Sequence, residues 1–183
     1  MTPFLQQIAS FLVAVLMCVQ SFAQETTSTD FFDTIKTYNL STILTADSIL
    51  TEDREGWKDT HKRAEIIGFI GDNYQRFFIH FVSVIQNPSN KYAYLVYGKT
   101  RVKETVCSFQ GTITIKQASI YDSCEISTYK QGFVVCDVLF YEDNTHPSTG
   151  VIKGELKSKF LIDKQGHFRY DGLMFVADGY SNN

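Results

Sequence analysis

Residues 149–163 read TGVIKGELKSKFLID. The even positions are Ile152, Gly154, Leu156, Ser158, Phe160 and Ile162, and the odd positions from 153 to 159 are Lys153, Glu155, Lys157 and Lys159. A period of two marks a β-strand with one face on a core and the other in water. The implied strand is about 13 residues long against a usual ~5–6. That length favours a strongly coiled sheet or a barrel over a small flat sheet.

The same period recurs on both sides of this stretch. Downstream, Asp163-Lys164-Gln165-Gly166 has the composition of a four-residue hairpin turn with glycine in the left-handed position, and 168–176 is a further strand. Upstream, 133–141 (FVVCDVLFY) is apolar on both faces, and 105–116 carries Cys107, Phe109, Gly111, Ile113 and Ile115 on one face. In 92–103, Tyr94, Val96, Gly98, Thr100 and Val102 point one way and Lys99, Arg101 and Lys103 the other. In 74–85, Phe77, Ile79, Phe81 and Ile85 oppose Tyr74, Arg76, Phe78, His80, Val82 and Val84. Asn87-Pro88-Ser89-Asn90 is a turn by composition. Long strands joined by short turns tend to close, because closure removes exposed edges. Gly98, Gly111, Gly154 and Gly172 suit places where a wall bends. The expected fold is all-β, an antiparallel up-and-down (calycin-like) barrel or half-barrel with a short N-terminal helix. A two-sheet β-sandwich is the alternative.

The beginning of the chain has a different character. Residues 8–19 (IASFLVAVLMCV) are apolar but shorter than the ~20 residues that span a bilayer, and Ser21-Phe22-Ala23 resembles a signal-peptidase site. The expectation is a signal peptide over 1–23, Gln24 as the mature N-terminus and an exported, periplasmic or extracellular protein. Residues 1–23 lack Lys and Arg, which departs from the usual signal pattern. A buried N-terminal helix and lipidation at Cys18 are the competing readings. Residues 24–30 form a polar, flexible leader, and 31–183 a single β domain. Phe31, Phe32, Ile35 and Tyr38 fall at helical spacing behind Asp30 as N-cap. Leu40, Ile43, Leu44, Ile49 and Leu50 suit a first strand. Residues 51–65 (TEDREGWKDTHKRAE) read as a long exposed loop, in which Trp57 is either a ligand contact or a cap on the core.

Net charge −3 with 44% hydrophobic and 14% aromatic residues is ordinary globular composition and gives no reason to expect a nucleic-acid partner. Export leaves Cys107, Cys124 and Cys136, an odd number that permits one disulfide of unspecified pairing or small buried hydrophobes. No Cys-x-x-Cys, HExxH, Gly-x-Ser-x-Gly or phosphate-cradling motif occurs, so neither a metal nor a cofactor is expected. Asp137, in a very apolar strand, is either a buried acid or an outward-facing residue. The strongest ligand candidates are Tyr74, Arg76, Phe78 and His80, which line a pocket if their side of the strand faces inward, and Trp57. The basic row Lys99, Arg101, Lys103 and a second row Lys153, Lys157, Lys159 suit solvated faces or an acidic partner.

The run 68–81 (GFIGDNYQRFFIHF), with Val96-Tyr97-Gly98-Lys99 and the strand 150–163, resembles secreted, β-barrel-like proteins of Bacteroidetes-type bacteria to which no activity is assigned. The resemblance covers about 66–180 and implies no site residue. The leading expectation is a non-enzymatic binding module for a small apolar or glycan ligand or a protein partner. The alternatives are an inhibitor or accessory protein acting through a loop such as 51–65, and an enzyme of unrecognised type.

Overall fold

The computed structural model describes residues 27–52, 55–124, 128–145 and 149–182; the expected signal peptide over 1–23, with Cys18, and His146 lie outside these residues. Among the described residues, ten strands and two short helices follow in chain order. They are β1 (Ser28–Asp30), α1 (Phe32–Ile35), α2 (Ser41–Leu44), β2 (Ser48–Glu52), β3 (Lys58–Lys62), β4 (Ile66–Ile70), β5 (Gln75–Asn87), β6 (Asn90–Val102), β7 (Thr105–Tyr121), β8 (Lys130–Glu142), β9 (Gly150–Ile162) and β10 (Phe168–Asn182).

Strands β4 to β10 form one antiparallel meander in which every strand pairs with its sequence neighbour. The sheet is curled into a half-barrel. Its two end strands, β10 and β4, lie against each other without forming a hydrogen-bonded ladder. The all-β half-barrel expected from the two-residue period is therefore the observed fold. Even positions of β9 are buried from Ile152 to Ile162, as their alternation requires, and Tyr94, Val96 and Thr100 of β6 point inward with them. The turn at Asp163 also follows its composition. Gly166 has φ +86°, and Asp163 Oδ1 accepts the N–H groups of Gln165 (3.0 Å) and His167 (2.8 Å).

Several expectations are corrected. The leader is not irregular throughout, because Ser28–Asp30 pairs with Tyr121–Ser119 of β7 just beyond the point where β6 leaves it. Residues 41–44 are helical rather than part of a first strand, with Leu40, Ile43 and Leu44 buried at helical spacing, whereas Ile49 and Leu50 do fall in a strand, β2. Residues 51–65 are not one loop: β2 and β3 make a two-stranded ribbon separate from the main sheet. In β5 a register shift between Phe81 and Ser83 reverses the alternation. Val84 is consequently buried and Ile85 faces outward.

The core is continuous. Phe81, Phe109 and Phe140 meet at its centre, with ring centroids 4.5–6.0 Å apart. The helical segment closes one end. Ile35, Leu40, Ile43 and Leu44 are fully buried, Phe31 packs on Phe160, and Tyr38 on Phe168. The Tyr94 hydroxyl accepts the Leu40 N–H (3.2 Å) and the Gln86 amide (3.0 Å), which fixes the plug to β5 and β6. Asp30 is not the N-cap expected of it: Phe31 holds that position without a side-chain cap, and Asp30, one residue earlier, accepts the Phe32 N–H on Oδ1 at 3.0 Å.

Candidate functional site

With one end plugged and the middle filled by aromatic rings, the interior opens at the opposite end. There a pocket of about 300 Å³ is lined by Ile70, Gln75, Phe77, Thr100, Val102, Lys103, Thr105, Cys107, Glu142 and Ile152. Phe77, Ile152, Val102 and Ile70 make apolar walls, and Lys103 stands on the rim in a left-handed conformation (φ +53°) that turns β6 into β7. Thr100, Cys107 and Glu142 are 2%, 4% and 9% exposed. The Glu142 carboxylate accepts the Thr100 hydroxyl through one oxygen and the Gly150 N–H (3.1 Å) through the other. Burial pushes the Cys107 thiol above its usual range, and the charges of Glu142 and Asp143 push the same way. Apolar walls around a few convergent polar groups are the ordinary constitution of a small-ligand site.

Glu142 is not among the residues selected from sequence, although its signal was present. Val134, Cys136, Val138 and Phe140 share the inward face of β8, and one further step of two reaches Glu142. Asp137 takes the outward-facing alternative left open for it: it is exposed and accepts Lys116 Nζ at 2.8 Å.

Arg76, Phe78 and His80 stand on the outer face of β5, because Phe77, Ile79 and Phe81 occupy its inner face. They do not line the interior. Tyr74 lies in the Gly71–Tyr74 turn at φ +52° and is 76% exposed. Trp57 is 77% exposed beside the ribbon turn and does not cap the core. The structure does bring Arg76, Phe78 and His80 together with the row Lys99 and Arg101. His80 lies opposite Lys99, and Phe78 opposite Arg101, whose guanidinium covers the Phe78 ring at 4.1 Å.

Cys107, Cys124 and Cys136 are free thiols, so the disulfide allowed by their number does not form. The register explains it for the two buried ones. Cys136 pairs with Ile115, eight residues along β7 from Cys107, which is about 26 Å at the rise of a strand; a disulfide tolerates a Cα separation of only about 4.4–6.8 Å. Burial pushes the Cys136 thiol far up, and Asp137 and Glu155 add to the shift.

Arg63 belongs to a second hollow of about 470 Å³, bounded by α2, residues 62–66 and β5. Its Nη1 donates to the carbonyls of Ile43, Leu44 and Ala46 (3.0, 3.0 and 3.1 Å), and its guanidinium lies over the Tyr170 ring at 4.2 Å. The geometry is that of a brace on the end of α2, where carbonyls lack helical partners. Among the described residues no group of three or more His, Cys, Asp or Glu side chains could hold a metal, and no helix is long and apolar enough to cross a membrane.

No protein-family model, no curated protein and no solved structure matches the chain.

Proposed function

We propose that this chain is an exported, non-enzymatic binding module that holds a small, largely apolar molecule in the pocket at the open end of its half-barrel. The observation that carries this reading is the pocket itself: apolar walls converge on Thr100, Cys107 and Glu142 at the open end of the barrel. A buried carboxylate costs free energy that a structural role would more easily avoid. Facing a pocket, it orients a ligand hydroxyl, amide or amine. The raised Cys107 thiol suits a wall group rather than a nucleophile, because the thiolate is the reactive form.

The test is native mass spectrometry of the protein purified from its own source organism, compared with its denatured mass. An added non-covalent mass is expected, and it should disappear in Val102→Trp, which fills the pocket from its rim. A bare mass, or an added mass unaffected by Val102→Trp, would overturn the reading.

A second reading is carried by the ribbon. Every residue of β3 is exposed, and Trp57 stands in water beside the turn. Tryptophan is enriched among the residues that dominate protein interfaces. An accessory role towards another exported protein would use this ribbon rather than the pocket.

A further inference from the structure

The four strands β4, β5, β6 and β7 contain no Asp or Glu, in a chain whose formal charge is −3. Their outer face carries Arg76, His80, Lys99 and Arg101, and Lys103 stands in the turn at its end. Glu65, Asp72 and Glu104 lie at the border. Glu65 takes Arg101 at 2.7 Å, whereas no ion pair among the described residues engages Arg76, Lys99 or Lys103. The outer face of β8 and β9 behaves differently. Those strands carry acids among their cations: Asp137 of β8 (2.8 Å) and Glu155 of β9 (3.5 Å) reach across to Lys116 of β7, and Lys157 lies over the Phe133 ring. Between the cations of β4 to β7 are exposed apolar groups: Phe69 opposite Arg76, Ile67 opposite Phe78, Val106 opposite Arg101, and Tyr97.

We propose that the outer face of β4 to β7 is a docking surface for an acidic polysaccharide, a chain bearing one carboxylate on every sugar or every second sugar. Charge complementarity selects an anion, and the cations form a short cluster rather than a dense track: His80 lies opposite Lys99, Lys99 and Arg101 are two residues (about 7 Å) apart on β6, and Arg76 is four residues (about 13 Å) from His80 on β5. Nucleic acid carries a charge for every ~1.7 Å of duplex axis, a density that a chain of net negative charge repels. The Phe78 ring is already covered by Arg101. Phe69 and Tyr97, both partly exposed, remain to contact the apolar faces of sugar rings. This surface shares only Lys103 with the pocket and goes beyond the pocket reading.

The experiment measures binding of the whole chain to polygalacturonate, with neutral dextran, oligo(dT) and phosphatidylglycerol vesicles alongside. Saturable binding to polygalacturonate alone is expected, weakening about tenfold between low and physiological salt as screening of exposed charges requires. The triple variant R76E/K99E/K103E should weaken it by about thirtyfold or more, while K153E/K159E on β9 changes it by less than about twofold. All five positions are surface cations, and circular dichroism checks that the fold is kept. Absence of polygalacturonate binding, equal losses in the two variants, or tighter binding to oligo(dT) or to vesicles would overturn the proposal.

Discussion

The Thr100 hydroxyl and the Glu142 carboxylate meet inside the barrel although their strands, β6 and β8, are separated by β7. With the Gly150 N–H on the other carboxylate oxygen, the contact joins β6, β8 and β9 at the floor of the pocket. Thr100→Val keeps the side-chain shape and removes the donor. Leaving a buried acceptor short of a partner costs about 1–3 kcal/mol. The urea midpoint should therefore fall with an unchanged slope, and Thr100→Ser should recover most of the loss. An unchanged midpoint in Thr100→Val would show that the carboxylate does not depend on this donor.

Arg63 is equally unsuited to conservative replacement. One nitrogen serves three carbonyls at the end of α2 while the planar guanidinium stacks on Tyr170. Lysine supplies a charge but not that plane. Arg63→Lys is expected to lower stability by about 1–3 kcal/mol through the lost donors, and Arg63→Ala by more. Equal stability of Arg63→Lys and the parent chain in denaturant titrations would remove the brace from the account.

The strand alternation made most of the barrel legible in the sequence, and the places where it misled are physically specific. At Ile85 a bulge reversed the inward face, and an extra residue in one strand leaves no mark in the period of its neighbours. Ile43 and Leu44 were ambiguous because a short apolar run suits a helix and a strand alike; the plug is helical through packing against β5 and β10. The ribbon of β2 and β3 was hidden because its exposed strand carries no buried face to set a period. For the site, sequence placed Arg76, Phe78 and His80 on one face correctly but could not say which face was outside. Glu142 was missed because a strand-terminal acid looks like the beginning of a loop.

Gly111 lies where two strands press together. A Cβ there would fall 2.0 Å from the Leu139 carbonyl oxygen and 2.8 Å from Phe140 Cα, both backbone atoms. No side-chain rotation relieves that contact, so Gly111→Ala should cost at least the ~1–3 kcal/mol typical of overpacking. Gly56→Ala is the comparison, since its Cβ meets nothing within 4 Å and carries only the backbone strain of φ +87°. Thermal unfolding of the two variants should rank Gly111→Ala well below Gly56→Ala. The reverse order would contradict the β7–β8 register.

Asp163 makes stability pH-dependent in a defined window. Burial raises its pKa, but the His167 backbone N–H, the His167 ring and Arg169 outweigh that and hold it at about 2 against an ordinary 3.8. A carboxyl depressed in the folded state stabilises above its unfolded pKa, and the contribution disappears as pH falls through the folded value. Asp163→Asn should therefore be less stable than the parent at neutral pH, and the two denaturant midpoints should converge between about pH 4 and pH 2. A difference that persisted undiminished at pH 2 would assign it to lost hydrogen bonds alone.

Trp57 supplies the last test, because it is the chain's single tryptophan and reports on the ribbon directly. At 77% exposure its fluorescence should lie at the long-wavelength, water-exposed end and should be quenched by iodide almost as well as in the unfolded chain. Unfolding in guanidinium should then move the emission maximum very little, even while circular dichroism records loss of the sheet. A buried tryptophan behaves in the opposite way, with a large red shift on unfolding, and that outcome would return Trp57 to the core. If a protein partner docks on the ribbon, its addition should shift the emission to shorter wavelength and protect it from iodide. Trp57→Ala should weaken such binding by about thirtyfold, the loss of about 2 kcal/mol expected of a central interface tryptophan, while leaving thermal stability unchanged. Lost thermal stability in Trp57→Ala would identify a packing role instead.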